Sequence, residues 1–394
     1  MEAGKKKICI LHTGGTIGMV PTEKGYSPKK DYLEGMLADI PDLRYGEMPL
    51  WDVVEFDPLL DSSNIAVDQW NDIGRAIKEK YNDYDGFVVL HGTDTMAYTA
   101  SALSFMLGGL TKPVIITGSQ IPLCEIRSDG TDNLITSMLI ASSGKVCEVA
   151  LYFGGKLLRG NRAIKVSSDR LIAFDSPNYS PLAVAGIEIQ YNDNALWKIS
   201  PTSESGFGVT DISGATDNGM QGSTGSSISS ATGNDTQGSA GSSISRATGN
   251  DMQGFTLTEF KQTSIGVLKV FPGIQFELFE SIMTDRLNGI VLETFGSGNI
   301  PSYDDALLPI IRKAFDTGTI ITVCSQCMQG TVKLGAYETS SELMGAGAVS
   351  GFDMTTEAAV AKLYYLFSLG YDKEKIKELM EVNLRGELSS NFSV

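Results

Sequence analysis

Residues 8–18 read ICILHTGGTIG, a short apolar run that ends at His12 and breaks into glycine and threonine. A second segment of the same form, FVVLHGTDT, occupies residues 87–95. In open α/β sheets, ligands bind just beyond the carboxyl ends of the parallel strands. Two hydroxyl-rich turns in such positions predict a site whose chemistry depends on threonine.

Strand-like and helix-like patterns alternate along the first half of the chain. Helical stripes of apolar residues follow Thr95 and occupy 134–141, and short β-branched runs predict strands at 7–11, 86–90, 113–117 and 147–153. This alternation is typical of a mostly parallel sheet with helices on both faces. We therefore expect an α/β fold with a larger N-terminal domain at 1–202.

The same alternation returns in the last third of the chain. Apolar runs predict strands at 265–270, 290–292 and 319–323, and helical patterns occupy 275–283, 304–315, 356–369 and 373–382. These elements predict a smaller C-terminal α/β domain at 255–394.

A repeat of 16 residues separates the two predicted domains. QGSTGSSISSATGNDT at 221–236 is followed by QGSAGSSISRATGNDM at 237–252. The surrounding stretch, 203–254, is rich in Gly, Ser, Thr, Asn and Asp, and such a composition buries too little apolar surface to offset the entropy of ordering. We predict a flexible low-complexity insertion in the linker.

The charge balance excludes some classes of partner. The chain of 394 residues carries 31 basic and 47 acidic residues, a net charge of −16. Nucleic acids and anionic membranes need basic patches, so we expect neither as a partner. The apolar run after the basic residues 5–7 is too short for a secretory signal or a membrane span. A cytoplasmic location is therefore expected.

The cysteines predict packing rather than redox or metal chemistry. Cys324 and Cys327 form a CxxC motif at the end of a predicted strand. A redox motif of this kind should open a helix, but Met-Gln-Gly follows it. A zinc site needs about four ligands, and the chain has only two histidines. We predict no metal and no cofactor.

The two threonine turns admit other interpretations. Residues 13–18 have neither the spacing of a dinucleotide fingerprint nor that of a Walker loop. Thr93, Asp94 and Thr95 also suit a helix N-cap, and a helix N-terminus favours anions and oxyanions. His12 and His91 are interpreted as structural residues at strand ends.

The motifs resemble a known family. HTGGTIGM at 12–19 and LHGTDTM at 90–96 closely resemble the two signature motifs of bacterial-type L-asparaginases, in the style of the cytosolic type I branch. The resemblance continues over nearly the whole chain outside the repeat, at YSP (26–28), LDSS (60–63), TGSQIP (117–122), RSDG (127–130), LRGNR (158–162), QCM (326–328), FDMT (352–355) and NLRGE (383–387). It implies the two-domain asparaginase/glutaminase-like fold.

The resemblance also implies an activity, the hydrolysis of L-asparagine to L-aspartate and ammonia through a threonine nucleophile and an acyl-enzyme or tetrahedral intermediate. Thr16 matches the nucleophile, and Tyr26 matches a tyrosine on a mobile lid. Thr93, Asp94 and Lys165 match a second threonine with its acid and lysine.

The family's substrate-binding positions match residues in several segments. Asp61, Ser62 and Ser63 match the loop that grips the α-groups of the substrate, where Thr93 and Asp94 also contribute, and Ser119 is expected near the oxyanion. The family pairs its subunits, so a homodimer or homotetramer is implied, with Asn299 reaching a neighbour's site.

The identity of the general base stays open. A lysine amine must be neutral to accept a proton, and the usual lysine pKa of about 10.4 disfavours this near pH 7. A carboxylate beside Lys165, such as that of Asp94, favours the charged ammonium and so also disfavours the neutral amine. Lys165 is therefore either a base or a source of positive charge.

Three alternative functions and one departure accompany this prediction. Glutaminase or mixed activity is the first alternative, because one methylene is discriminated by only about 1–3 kcal/mol. An ammonia-supplying amidotransferase subunit and a degenerate binding protein are the others. Some cytosolic members have a second asparagine site whose arginine aligns with Glu293, so we expect no such regulation here.

Overall fold

The computed structural model describes residues 4–198, 254–301, 306–335 and 338–389, without the side chains of 338 and 339. The predicted insertion at 203–254 lies outside the described residues except for its last position. Its flexibility and the domain boundaries stay predictions.

The N-terminal part is built from strands and helices in alternation. Its strands are β1 (Lys7–Gly14), β2 (Met19–Thr22), β3 (Gly25–Pro28), β4 (Leu50–Leu60), β5 (Gly86–Leu90), β6 (Leu107–Gly108), β7 (Val114–Thr117), β8 (Val149–Phe153), β9 (Lys156–Arg159), β10 (Ile164–Lys165), β11 (Phe174–Asp175), β12 (Ala183–Ala185) and β13 (Ile189–Tyr191). Its helices are α1 (Leu33–Asp39), α2 (Val67–Lys80), α3 (Met96–Met106) and α4 (Gly130–Ser142).

The C-terminal part repeats this organisation on a smaller scale. Its strands are β14 (Thr256–Leu257), β15 (Ile265–Lys269), β16 (Gly289–Thr294), β17 (Ile320–Ser325) and β18 (Val349–Ser350). Its helices are α5 (Glu280–Asp285), α6 (Leu307–Thr317), α7 (Glu338–Gly345), α8 (Thr356–Ser368) and α9 (Lys373–Met380).

Two sheets organise these elements. The larger has the order β13-β12-β9-β8-β7-β5-β1-β4, and its strands from β8 to β4 run parallel. The smaller is a parallel sheet in the order β15-β16-β17-β18. Strands buried on both faces, such as Phe87–Leu90, account for the continuous apolar runs in the sequence. The predicted two-domain α/β fold is confirmed.

Some elements differ from the sequence-based prediction. The single helix predicted at 275–283 is wrong, because a 3-10 helix at Phe276–Phe279 precedes the short α5. Strand β4 and helices α1 and α2 were not predicted. None of the described helices is long and apolar enough to cross a membrane.

A buried ion pair holds the last turn of the described chain. Lys362 on α8 and Glu387 are fully buried, and Lys362 Nζ lies 2.6 Å from Glu387 Oε1. Glu387 also accepts hydrogen bonds from the backbone N–H groups of Leu384 and Arg385. Burial alone would raise the pKa of Glu387, but Lys362 and these donors hold it below its usual value. The carboxylate is therefore ionised at neutral pH.

We expect Glu387→Gln to lower the free energy of unfolding by about 3–5 kcal/mol, because it leaves the Lys362 ammonium buried without its counter-charge. Urea unfolding at pH 7 measures this change. The loss should shrink as the pH falls below the ordinary range of glutamate, because the pKa of folded Glu387 is lowered and protonation then removes the pair from the wild type as well.

The control for this prediction is Glu280→Gln. Glu280 pairs with Lys313 at 2.8 Å on the surface, so its loss should leave the unfolding free energy nearly unchanged. A Glu387→Gln protein as stable as this control would contradict the prediction.

Candidate active site

The turn after β1 is packed directly against two other loops. Gly14 and Gly15 have φ angles of 127° and 84°, which favour glycine. A Cβ atom on Gly14 would overlap the carbonyl oxygen of Leu60, and one on Gly15 would overlap the backbone nitrogen of Gly92. The paired glycines therefore bring the Thr16 turn onto the ends of β4 and β5.

The loop after β4 is fixed by its own hydrogen bonds. The carboxylate of Asp61 accepts from the backbone N–H of Ser63 at 3.0 Å and caps the 3-10 helix Ser62–Asn64. Thr95 Oγ1 donates to the carbonyl of Ser62 at 2.8 Å. The alternative role of Thr95 as a side-chain N-cap of α3 is therefore wrong, because its hydroxyl bonds Ser62 instead.

A lysine joins the turn after β5 from another part of the chain. Lys165 Nζ donates to Thr93 Oγ1 at 2.8 Å and to Asp94 Oδ1 at 2.7 Å. Thr93 is buried and the Lys165 side chain is 20% exposed, whereas the Asp94 side chain is 66% exposed. The structure thus brings these three residues together, with one carboxylate open to solvent.

Gln120, a residue without a predicted role, completes this group. Its Oε1 atom accepts from Thr93 Oγ1 at 3.1 Å. Its Nε2 atom donates to the carbonyls of Ser168 and Arg170 at 3.2 and 3.1 Å. The one signal in the sequence was its place in the TGSQIP segment at the end of β7.

Thr16 itself is half-buried at the start of the 3-10 helix Thr16–Gly18. Within the described part of the chain, its hydroxyl makes no hydrogen bond, in contrast to Thr93. A hydroxyl in a tight turn, without a competing partner, is available to a bound molecule.

Two family models match this chain. Residues 7–197 match "Asparaginase, N-terminal", and residues 264–380 match "Glutaminase/Asparaginase C-terminal domain". The chain belongs to the asparaginase family.

Full-length relatives agree with this membership. The chain is 39% identical to L-asparaginase 1 of Escherichia coli over 98% of both proteins. The crystal structure of L-asparaginase I from Vibrio cholerae superposes with a TM-score of 0.79 at 38% identity, covering 98% of this chain and all of that one. L-asparaginase of Thermococcus kodakarensis is 30% identical over 98% of this chain and all of its own.

Tyr26, the asparaginase lid residue by resemblance, lies on the hairpin β2–β3. Its side chain is 51% exposed. The neighbouring Glu125 carboxyl, with a smaller effect of desolvation, raises the pKa of its hydroxyl. Tyr26 therefore lies near Glu125 of the 121–128 loop in this structure.

Within the described residues, Ser119 and Asn299 make no side-chain hydrogen bond to the Thr93 group. Ser119 is fully buried, and its hydroxyl has no partner among the described residues. Asn299 lies in the C-terminal domain, where its backbone exchanges two hydrogen bonds with Phe295 in the turn after β16. The contacts found within one chain give Asn299 no place in the Thr93 group.

Both histidines are buried beside the site. His91 Nδ1 lies 2.8 Å from the carbonyl of Gly92, and Nε2 lies 2.9 Å from Thr99 Oγ1, which accepts from the indole of Trp70. Burial lowers the pKa of His91 to about 4. A neutral His91 that donates from Nδ1 and accepts at Nε2 fits these partners, and this agrees with a structural role.

The CxxC segment and Glu293 meet at the ends of β16 and β17. Burial raises the pKa of Cys324 to about 12, so its thiol is a poor nucleophile. Glu293 accepts from Thr356 Oγ1 at 2.6 Å and lies 3.8 Å from Lys269 Nζ. Burial, with a smaller effect of Glu293, raises the pKa of Glu357 to about 6. This region is acidic, and the absence of asparagine regulation stays a prediction.

Proposed function

We propose that this protein hydrolyses L-asparagine to L-aspartate and ammonia, with Thr16 as the nucleophile. The observation that carries the proposal is the unpaired Thr16 hydroxyl in a turn packed on Gly92, next to the bonded pair of Thr93 and Lys165. The full-length similarity to L-asparaginase 1 of Escherichia coli supports asparagine as the substrate.

The reaction proceeds in two halves. Thr16 Oγ1 attacks the side-chain amide carbon, its bond to that carbon forms, and the carbon–nitrogen bond breaks. The proton from Thr16 leaves with the nitrogen as ammonia. Water then attacks the resulting ester, and aspartate and free Thr16 are released. Helix α3 begins just after Thr95. Its N-terminus favours the negative charge that develops on the carbonyl oxygen of the substrate in both halves of the reaction.

The α-groups of the substrate find complementary charges nearby. The open carboxylate of Asp94 suits the α-ammonium, and it is already held by Lys165. The hydroxyl of Ser62 and the exposed Ser63 suit the α-carboxylate. We infer that these residues orient asparagine so that its amide lies over Thr16.

Location and assembly are proposed from the sequence and from the family resemblance. A cytoplasmic protein without a metal or organic cofactor fits the sequence. A homodimer or homotetramer, in which Asn299 contributes to a neighbouring site, follows from the family resemblance.

Ammonia release from asparagine and from glutamine tests the proposed substrate. We expect kcat/KM for asparagine to exceed that for glutamine by roughly 10- to 200-fold, because the pocket must exclude one methylene. A coupled ammonia assay with purified full-length protein measures both. A preference for glutamine would replace this proposal with the glutaminase alternative, and release from neither amide would refute it.

A further inference from the structure

We propose that Gln120 is a positioning residue that fixes the hydroxyl proton of Thr93, so that Lys165 acts on Thr93 as a hydrogen-bond donor. The inference rests on the proposed amide hydrolysis and adds a residue and a proton direction to it. It follows from which atoms of Gln120, Thr93, Lys165 and the 166–173 loop can donate and which can accept a hydrogen bond.

The orientation of the Gln120 amide is set by its surroundings. One end of the amide lies 3.2 Å from the carbonyl of Ser168 and 3.1 Å from that of Arg170. Carbonyl oxygens only accept, so this end must be the NH2 group. The other end, facing Thr93 Oγ1 at 3.1 Å, is therefore the carbonyl oxygen Oε1.

That orientation decides where the Thr93 proton lies. Oε1 only accepts, so Thr93 must donate its single proton to Gln120. The lone pairs of Thr93 Oγ1 then face Lys165 Nζ, 2.8 Å away. Lys165 donates to this oxygen and also to the Asp94 carboxylate. In the resting site Lys165 thus acts on Thr93 as a hydrogen-bond donor.

Gln120 is itself held rigidly. Its backbone N–H donates to the carboxylate of Asp129, which also accepts from the N–H of Ile121 at 2.9 Å and the side chain of Asn133 at 3.2 Å. Its NH2 group donates to two carbonyls of the loop between β10 and β11. Lys165 is the last residue of β10. One amide therefore positions both Thr93 and the strand that carries its lysine.

Gln120→Met tests this role, because methionine has a similar length and no strong acceptor. We expect kcat for asparagine to fall roughly 10- to 100-fold, with KM changed less than about threefold, because Gln120 acts on Thr93. Gln190→Met, on the exposed edge strand β13, is the control and should leave kcat unchanged. An unchanged kcat in Gln120→Met would overturn the inference.

A double-mutant cycle separates positioning from a general structural role. In the Thr93→Val background there is no hydroxyl to orient, so adding Gln120→Met should lower the residual kcat less than about threefold further. Long incubations at high enzyme concentration make this slow rate measurable. The same 10- to 100-fold loss in both backgrounds would overturn the inference.

Gln120→Glu gives a comparison that does not depend on the slow turnover of the Thr93→Val variant. A carboxylate still accepts the Thr93 proton but loses both donor bonds to the 166–173 loop. We expect at least about fivefold higher kcat than for Gln120→Met. A kcat equal to or below that of Gln120→Met would contradict us. Wild-type protein that releases no ammonia from asparagine would instead refute the proposed function itself.

Discussion

Thr16→Ala should lower kcat for asparagine by at least about 10⁴-fold, because the variant has no oxygen to form the covalent ester. Thr16 is half-buried, and its hydroxyl makes no hydrogen bond within the described residues. Removing it therefore should cost little stability. Ammonia release at saturating asparagine measures the rate, and a thermal melt checks that the variant is folded.

Two further variants make the Thr16 result specific. Thr16→Ser keeps the hydroxyl and should retain measurable turnover. Thr263→Ala removes another half-buried threonine and should behave as wild type. Among the described residues, the Thr263 hydroxyl bonds only the carbonyl of Lys261. If Thr16→Ala keeps a tenth or more of the wild-type kcat, Thr16 is not the nucleophile, and the attacking group must be sought at Thr93.

Lys165→Met should lower kcat by roughly 10²- to 10⁴-fold, the range over which a single acid–base or electrostatic group acts in enzymes. The variant loses the donor at 2.8 Å from Thr93 and the cation at 2.7 Å from Asp94. Both proposed roles of Lys165, as base and as charge, require this loss. The measurement is again steady-state ammonia release, with kcat and KM determined separately.

Lys156→Met is the matched control for Lys165. Lys156 on the neighbouring β9 pairs with Asp175 at 3.0 Å and is also partly exposed. Its removal deletes a lysine and an ion pair from the same domain without touching Thr93. It should leave turnover within about twofold of wild type, as expected for a surface pair. Near-full activity of Lys165→Met would remove the lysine from the mechanism altogether.

The Thr16 and Thr93 turns could be predicted from local sequence patterns. Each was predicted from an apolar run followed by glycine and threonine, and each lies at the end of a parallel strand, β1 or β5. These strands are adjacent in the sheet, so their ends had to meet. Strand β4 escaped prediction, although its end supplies the Asp61 loop.

Local sequence patterns could not predict the contacts between distant parts of the chain. Lys165 lies 72 positions after Thr93, and only the family resemblance linked them. Gln120 was visible in its motif, but its role depends on two backbone carbonyls in the 166–173 loop. Spacing and periodicity carry no information on which way an amide points.

The sequence by itself determined three features of this protein: the two threonine turns at strand ends, the α/β class and the family. Those features follow from local hydrophobicity and glycine placement, which act over a few residues. Only the tertiary structure decided that Lys165 reaches Thr93 and that Gln120 takes the Thr93 proton. Hydrogen-bond direction depends on which donors and acceptors converge in space, and that convergence exists only once the sheet has formed.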